Sequence, residues 1–268
     1  MTVTSSSPRV VLGGAIVDLR RPGDVVSAVR DRLTTETAPL AVASANLDHV
    51  HHFGSGGASR STLTWDPDLD WLVLLDGVPL VRRAARITGA SWPRLAGSDL
   101  LPSFLEVAAS TGSRVGFLGG RTDMHERLRT VLARRFPALP VAGYWAPTAR
   151  EIEEDRTALA NTIHLARVDL LVVSLGKPCQ ERWIQHNGRE SGARVLLAFG
   201  AAADFLAGTA KRAPEWMRRS GTEWVFRLLR EPRRMGRRYF VQGPPALWRV
   251  WTDSGMLTDL GTTTVTPP

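Results

Sequence analysis

The sequence predicts an α/β protein with a mostly parallel sheet that is covered by helices on both faces. Three observations support this fold class. Short apolar runs recur along the chain, and each ends at a glycine or a polar residue. Stretches with helical periodicity separate these runs, as is typical of parallel sheets. The runs are unbroken rather than alternating, which is expected of strands buried on both faces.

The individual elements follow the chain in order. A strand or hairpin over 9–19 precedes an amphipathic helix over 22–36, which starts at a proline. The later strands are predicted over 40–45, 72–75, 114–118, 139–143, 168–175 and 194–199. The helices between them are predicted over 47–53, 78–86, 98–110, 123–135, 148–166 and 178–190. The alternation is regular from residue 114 onward and indicates a Rossmann-like arrangement.

The ends of the predicted strands carry the residues that are suited to a ligand. They are Asn46, Asp76-Gly77, Gly119-Gly120, Gly176 and Gly200. In open parallel sheets, ligands bind outside the carboxyl ends of the strands. Glycine lets backbone N–H groups approach an anion, and the following helix adds partial positive charge. The series therefore favours an anion site, although glycine also ends strands for reasons of packing.

Basic residues are concentrated near the end of the chain. Residues 211–249 hold eleven Lys/Arg and three Asp/Glu, the same surplus of eight as the whole chain with its 34 Lys/Arg and 26 Asp/Glu. Trp216, Trp224, Trp248 and Trp251 lie in or beside this block. Tryptophan among basic residues is typical of a membrane-surface segment. We expect a basic helical C-terminal appendage that docks on an anionic membrane, with a solvated basic face as the alternative.

These patterns divide the chain into four parts. We expect a disordered N-terminus over 1–8, an α/β catalytic domain over 9–210, a basic Trp-rich membrane-docking appendage over 211–252 and a polar tail over 253–268.

Cys179 is the only cysteine, which excludes an internal disulfide and fits a reducing compartment. Neither a signal-peptide pattern nor an apolar run of spanning length occurs. The expected location is cytoplasmic, bound peripherally to the inner face of the cell membrane.

A series of short motifs runs through residues 10–240 in a fixed order. They are Ser44-Ala45-Asn46, Leu75-Asp76-Gly77, the stretch from Arg94 to Leu100, Phe117 to Gly120, Leu175 to Glu181, Gly200 to Asp204, Arg212 to Trp216, Glu223-Trp224 and Glu231 to Arg234. Together they resemble the WecG/TagA/CpsF family of bacterial glycosyltransferases, and the run from Arg212 to Arg234 is the most specific part.

This resemblance implies an inverting, metal-independent hexosyltransferase or N-acetylhexosaminyltransferase that needs no cofactor. The implied donor is a UDP-sugar of the N-acetylmannosamine or uronic-acid type. The implied acceptor is a sugar linked to undecaprenyl diphosphate, and the products are cell-surface polysaccharides or teichoic-acid-like polymers. Homo-oligomerisation is left open.

Asp76 is the candidate catalytic base. Inverting transfer needs a group that takes the proton of the acceptor hydroxyl as that oxygen attacks the anomeric carbon. The resemblance assigns this role to the carboxylate at the end of the strand over 72–75. The alternative is an aspartate that only stabilises the turn before Gly77.

The other candidate site residues bind substrate or neutralise charge. Ser44 and Asn46 offer hydrogen bonds to sugar hydroxyls, and Gln180 reaches into the crevice while Glu181 complements the helix dipole. The remaining substrate-binding candidates are Gly119, Gly120, Gly176, Gly200 and Asp204. Without a metal, the diphosphate needs cations, for which the candidates are Arg94, Arg212, Arg227, Arg233 and Arg234.

One position departs from the family pattern. Cys179 stands where the family usually has lysine, and Lys177 lies two residues earlier. A cation beside the helix N-terminus has thus been moved or lost. We expect Cys179 itself to be a buried, inert thiol.

Other classes of function are also considered. The run Asp66-Pro67-Asp68-Leu69-Asp70 resembles an acidic metal motif, but it precedes a strand, so we expect no metal there. A nucleic-acid-binding protein is the main non-enzyme alternative because the sequence pI is about 10.9. The confinement of the basic residues to one end argues against nucleic acid as a partner. An inactive membrane-associated scaffold is the third possibility, suggested by Cys179.

Overall fold

Seven parallel strands form the middle of a ten-stranded sheet in the computed structural model, which describes residues 8–60, 68–220, 222–257 and 263–265. In this part of the chain the strands are β1 (Arg9–Leu12), β2 (Ala15–Asp18), β3 (Leu40–Ala45), β4 (Asp70–Leu75), β5 (Val115–Gly119), β6 (Val141–Trp145), β7 (Leu170–Ser174), β8 (Val195–Ala198), β9 (Ser254–Leu257) and β10 (Thr263–Val265). The predicted fold class, α/β with a mostly parallel sheet, is confirmed.

Helices cover the sheet and form most of the C-terminal segment. They are α1 (Pro22–Thr34), α2 (Leu47–Phe53), α3 (Val78–Thr88), α4 (Gly97–Thr111), α5 (Thr122–Arg135), α6 (Ala149–Glu154), α7 (Arg156–Leu165), α8 (Cys179–Asn187), α9 (Ala202–Ala207), α10 (Glu215–Ser220), α11 (Glu223–Arg230), α12 (Pro232–Gly236) and α13 (Gly243–Thr252). A π-helical segment, Arg237–Gln242, joins α12 to α13. No helix among the described residues is long and apolar enough to cross a membrane.

The strand order brings distant parts of the chain together. The order is β10-β9-β1-β2-β4-β3-β8-β7-β5-β6, with parallel pairing from β2 to β6. The chain moves from β3 to β4 on one side, whereas β8 pairs with β3 on the other side. Such a change of direction opens a crevice at the carboxyl ends of the strands.

The core lies on both faces of the sheet. On one face Phe104 of α4 and Phe117 of β5 are at most 1% exposed, and on the other Trp183 and Ile184 of α8 pack against neighbouring strands. Burial of such a side chain contributes about 1.5–3 kcal/mol. The unbroken apolar strands of the sequence are explained by this covering on both faces.

The end of the chain adds two strands to the sheet. The expected polar tail over 253–268 contains β9, which pairs antiparallel with β1, and β10, which pairs with β9. The Ser254 hydroxyl donates to the carbonyl of Val250 at 2.7 Å and accepts from the Gly13 backbone N–H at 2.9 Å. The free edge of β1 supplies main-chain partners, so a short segment with little apolar periodicity still forms a strand.

The C-terminal helices share the core of the sheet. Ala246 and Val250 of α13 are fully buried in a cluster with Val17 of β2 and Val50 of α2. The boundary between a catalytic domain and a membrane-docking appendage at residue 210, which was inferred from charge, stays a prediction. The prediction of disorder at the N-terminus falls on residues outside the described part, apart from Pro8.

Two further predicted boundaries differ from the structure. The strand predicted over 139–143 lies at Val141–Trp145, after Pro140. The single helix predicted over 148–166 is two helices, α6 and α7, that meet at Asp155. Boundaries of this kind depend on local backbone geometry that periodicity does not reveal.

Candidate active site

A cavity of about 980 Å³ opens at the carboxyl ends of β3, β4, β7 and β8. The strand ends and the turns after them form its floor, and residues of α11, α12 and the π-helical segment form the opposite wall. The volume lies at the upper end of the range typical of small-molecule sites. The C-terminal segment therefore contributes directly to the cavity, as the sequence predicts.

Asp76 lies on this floor directly after β4. Its backbone N–H donates to the Ala45 carbonyl at 2.8 Å, and Gly77 after it has φ +92, a conformation that favours glycine. Removal from water raises the pKa of Asp76 above its usual value, although the positive charge of Arg94 opposes this shift. The negative charge of Glu223 raises the pKa further. A carboxylate with a raised pKa is suited to general base catalysis.

Two arginines and one glutamate line the cavity beside this aspartate. Arg94 Nη1 lies 3.4 Å from Glu223 Oε2, and Arg227 Nη2 lies 3.0 Å from Glu223 Oε1. The guanidinium group of Arg227 also lies over the ring of Phe205, 5.1 Å from its centroid. Arg94 and Arg227 are thus brought together as predicted, although they lie 133 positions apart.

Arg212 and Arg233, whose side chains the structure describes, do not line the cavity. Arg212 Nη1 lies 2.7 Å from Asp99 Oδ1, and its Nη2 donates to the Ser98 hydroxyl at 3.0 Å. Arg233 is exposed on α12. Of Arg234 the structure describes only the backbone, so the prediction for that side chain lies outside the described part.

The end of β3 supplies two of the predicted polar groups. The Ser44 hydroxyl is buried, and no partner for it occurs among the described residues. Asn46 is the N-cap of α2, where its Oδ1 accepts from the backbone N–H of His49 at 3.1 Å. The side-chain amide N–H₂ of Asn46 is therefore the group that it can offer to a ligand.

The turn between β7 and α8 forms the next part of the floor. The Gln180 side chain donates to the Ala198 carbonyl at 2.8 Å and accepts from the Gly200 N–H at 3.0 Å, so it ties this turn to the end of β8. Gly176, Gly200 and Asp204 line the cavity, as predicted. The helix α9 that carries Asp204 follows β8 directly.

Glu181 lies behind the cavity wall rather than in it. Its side chain is fully buried, and Oε1 lies 2.5 Å from Lys177 Nζ. Lys177 lines the cavity and also contacts His49 Nδ1 at 3.4 Å. Burial holds the pKa of His49 well below its usual range, and the nearby Lys177 charge adds to this effect. Glu181 therefore fixes a cation at the cavity instead of serving only the helix dipole.

Cys179 differs from the expectation of a buried thiol. The cysteine is exposed at the first residue of α8. The side chains of Gln180 and Glu181 turn inward, which leaves position 179 on the outer side of the turn. The lysine of this turn is therefore present in the cavity, but it comes from position 177.

Gly119 and Gly120 do not line the cavity, in contrast to the prediction. Gly119 has φ +91, and a Cβ atom there would lie 2.6 Å from the Ser174 carbonyl oxygen. Its own carbonyl is 2.8 Å from the ring Nε2 of His125. Close packing of β5 against β7 explains this glycine without a ligand.

The acidic run lies at the opposite end of the sheet, where β4 begins. Asp68 Oδ2 is 2.7 Å from Arg189 Nη1, and Asp70 Oδ2 is 2.8 Å from Arg32 Nη2. Asp66 lies outside the described residues. Among the residues that the structure does describe, no group of three His, Cys, Asp or Glu side chains is arranged to hold a metal ion.

Several cavity residues were missed by the sequence analysis. They are Asp48, Lys177, Ser174, Glu223 and Arg238, which line the cavity. Asp48 Oδ2 lies 3.3 Å from Arg238 Nη2, so this ion pair joins α2 to the π-helical segment. The spacing of Glu223 and Arg227 by four residues was a signal for an ion pair, but not for its place beside Asp76.

Sequence comparisons agree with this geometry. The family described as "Glycosyl transferase WecG/TagA/CpsF family" matches residues 10–258. A protein of Bacillus subtilis (strain 168) named N-acetylglucosaminyldiphosphoundecaprenol N-acetyl-beta-D-mannosaminyltransferase is 32% identical over 166 residues. A protein of the same name from Staphylococcus aureus (strain MRSA252) is 27% identical over 168 residues.

Each alignment covers 62% of this chain and 63% of the relative, so the chain spans less than two thirds of the length of these curated relatives. The family match is longer and includes both the floor of the cavity and its C-terminal wall. On this basis the chain belongs to the WecG/TagA/CpsF family of glycosyl transferases.

Proposed function

We propose that the chain is an inverting glycosyltransferase that moves a sugar of the N-acetylmannosamine or uronic-acid type from a UDP-sugar to an undecaprenyl-diphosphate-linked acceptor. The observation that carries this proposal is Asp76, a carboxylate on the floor of a large cavity, with Arg94 and Arg227 on the wall beside it. The names of the relatives specify an N-acetylmannosaminyl group and an N-acetylglucosaminyldiphosphoundecaprenol acceptor.

Asp76 acts as the base in this mechanism. The acceptor hydroxyl gives its proton to the carboxylate while its oxygen forms a bond to the anomeric carbon. The bond from that carbon to the diphosphate oxygen breaks at the same time, and UDP leaves with the electron pair. Attack from the face opposite the leaving group inverts the configuration at the anomeric carbon.

The cations of the cavity stabilise the charge that develops on the diphosphate. Arg94 and Arg227 supply guanidinium groups, which bind phosphate in a bidentate manner, and Lys177 adds a point charge from the floor. Cations that the fold already holds in place stabilise the developing charge more than the same charges in solution would. The hydroxyl of Ser44 and the amide of Asn46 are placed to bind the sugar.

The proposed reaction needs no metal, because side-chain cations neutralise the leaving group. Turnover in the presence of EDTA is expected to equal turnover without it. A loss of activity that added Mg²⁺ or Mn²⁺ restores would contradict metal independence without affecting the proposed transfer itself.

Peripheral binding to the inner face of the cell membrane would give the enzyme access to a lipid-linked acceptor. Large apolar side chains are exposed on the C-terminal helices, among them Trp216 at 65%, Phe240 at 64% and Trp248 at 71%. Together with the basic residues of this segment they form the kind of surface that binds anionic lipid.

The nucleic-acid alternative is not supported. Three arginines of the C-terminal segment point toward the cavity or the body, where Arg212, Arg227 and Arg238 pair with carboxylates. The family match over residues 10–258 favours a glycosyl transferase instead.

A panel of UDP-sugars incubated with a lipid-diphosphate-GlcNAc analogue tests the proposal. We expect one donor to give a product heavier by one sugar residue, detected by mass spectrometry, with UDP released in equal amount. Asp76→Asn serves as the control for a reaction at this cavity. If the chain binds UDP-sugars but no donor yields product, the inactive-scaffold alternative gains and the proposed transfer fails.

A further inference from the structure

Arg94 pairs with two carboxylates, neither of which is Asp76. Its Nη1 lies 3.4 Å from Glu223 Oε2, and its Nη2 lies 3.8 Å from Asp99 Oδ2. Asp76 lines the same cavity and is acted on by the Arg94 charge, yet among the described residues it forms no ion pair. The guanidinium group thus pairs with Glu223 and Asp99, and not with the carboxylate of the proposed reaction.

This arrangement matters for a general base. A carboxylate that accepts two hydrogen bonds from an arginine is a weaker base, and its oxygens are occupied. A base must instead reach the proton that it abstracts with a free oxygen. An arginine is still needed nearby for the diphosphate. Another side chain must therefore keep the guanidinium group of Arg94 from pairing with the Asp76 carboxylate.

Glu223 is placed to hold them apart. Its side chain is 17% exposed and lies between two guanidinium groups, with Arg227 Nη2 3.0 Å from Oε1 on the other side. Arg227 in turn is fixed against the ring of Phe205. Glu223 is the first residue of α11, so it belongs to the C-terminal wall, whereas Asp76 and Arg94 belong to the α/β body.

We propose that Glu223 is a positioning residue which, together with Asp99, holds Arg94 away from Asp76 and so leaves the base unpaired for the acceptor hydroxyl. The C-terminal segment thereby completes the site through a carboxylate as well as through its arginines. This inference rests on the proposed function for the role of Asp76 as a base.

The charges around Asp76 agree with this role. Burial raises the pKa of Asp76, and Glu223 adds to this effect, whereas Arg94 and Arg227 oppose it. Two other charged pairs lie at the cavity, Asp48 with Arg238 and Lys177 with Glu181. Further ionisable side chains that line it are His52, Asp204, Lys211, Arg230 and Glu231. Glu223 contacts Arg94 directly, so removal of the Glu223 charge is expected to strengthen the pairing of Arg94 with Asp76.

The first experiment needs no turnover. Aspartate labelled with ¹³C at the side-chain carboxyl is followed by NMR through a pH titration, and the Asp76 signal is identified by its loss in Asp76→Asn. We expect a lower titration midpoint for Asp76 in Glu223→Gln, because Arg94 loses an anionic partner and turns to Asp76. An unchanged or higher midpoint would overturn the proposal.

A matched control and a second variant exclude a merely structural effect. Glu154 forms an ion pair with Arg150 at the same spacing of four residues, 2.6 Å apart on exposed α6. Glu154→Gln is expected to leave the Asp76 midpoint unchanged. Arg94→Met is expected to raise the midpoint, and the effect of Glu223→Gln should be much smaller in the Arg94→Met background. An equal effect in both backgrounds would mean that Glu223 does not act through Arg94.

Kinetics provide the second readout. Glu223→Gln is expected to lower kcat about tenfold and to move the acid limb of the pH profile to lower pH. If the wild-type chain transfers no sugar, the proposed function fails, whereas the NMR midpoints still decide whether Glu223 controls the pairing of Asp76.

Discussion

Lys177 Nζ lies 2.5 Å from Glu181 Oε1, and the pair spans the turn that leads into α8. The lysine side chain is 9% exposed and the glutamate side chain is fully buried. The turn therefore supplies a cation to the cavity from position 177, two residues before Cys179. The pair also has a measurable consequence for stability.

Lys177→Met is expected to lower the free energy of unfolding by about 3–5 kcal/mol, because it leaves the charge of Glu181 buried without a partner. Urea unfolding followed by circular dichroism measures this change. The double variant Lys177→Met, Glu181→Gln removes both charges and should recover most of the loss. Equal stability of the single variant and the wild type would show that the pair is not buried in solution.

Asp76→Asn is expected to reduce kcat by about 10²-fold or more while UDP still binds, because the amide cannot accept the proton. Transfer to the lipid-diphosphate-GlcNAc analogue measures kcat, and calorimetry with UDP measures binding. A variant with full turnover would exclude Asp76 as the base.

The pH dependence of stability should also report on Asp76. Its folded-state pKa is raised, so between the usual aspartate pKa and the raised value the folded protein binds more protons than the unfolded chain. The contribution of this residue to the free energy of unfolding therefore falls as pH rises through that window. Asp76→Asn removes this decline, so its melting temperature should exceed that of the wild type at neutral pH but not at acid pH. A lower melting temperature at neutral pH would contradict the prediction.

Gly119→Ala tests whether the glycine at the end of β5 serves packing or a ligand. We expect a loss of about 1–3 kcal/mol in stability because the backbone is left-handed there and a Cβ would meet the Ser174 carbonyl. Gly112→Ala is the matched control, since Gly112 has φ +68 but no atom close to the new Cβ, and it should lose less. The affinity of folded Gly119→Ala for UDP should equal that of the wild type; a large loss would restore the predicted ligand role.

Binding to anionic vesicles tests the proposed membrane surface. Sedimentation with phosphatidylglycerol vesicles should fall as salt rises, since each basic residue near the surface contributes about 1 kcal/mol. Trp248→Ala should weaken binding without a change in melting temperature, because this side chain is 71% exposed. Leu165→Ala on α7 is the control, as Leu165 is 81% exposed but lies outside the C-terminal segment. Binding that is absent, or insensitive to salt, would count against docking.

The sequence indicated residues that line the cavity where a polar residue or glycine follows a strand, whereas their roles stay predictions. Asn46 and Asp76 directly follow β3 and β4, Gly200 lies two residues after β8, and all three line the cavity because the carboxyl ends of parallel strands meet at one edge of the sheet. Gly119 ends a strand as well, but its neighbours fill the space above it. The pattern of a strand followed by glycine does not distinguish these two cases.

Some contacts between distant parts of the chain were not predicted. Glu223 is 147 positions from Asp76, and no local pattern indicates that α11 lies over the end of β4. The exposure of Cys179 and the burial of Glu181 depend on which side of α8 faces the sheet, and this is decided by packing.

The sequence by itself determined the α/β class, most of the order of the elements between β3 and β8 and the polar residues and glycines at the strand ends, because apolar periodicity and glycine positions are local properties. Only the tertiary structure decided which strand ends open into the cavity, which cation occupies its floor and which carboxylate of the C-terminal segment holds Arg94. Those features arise from contacts between residues far apart in the chain, and their energies depend on burial that no short stretch of sequence contains.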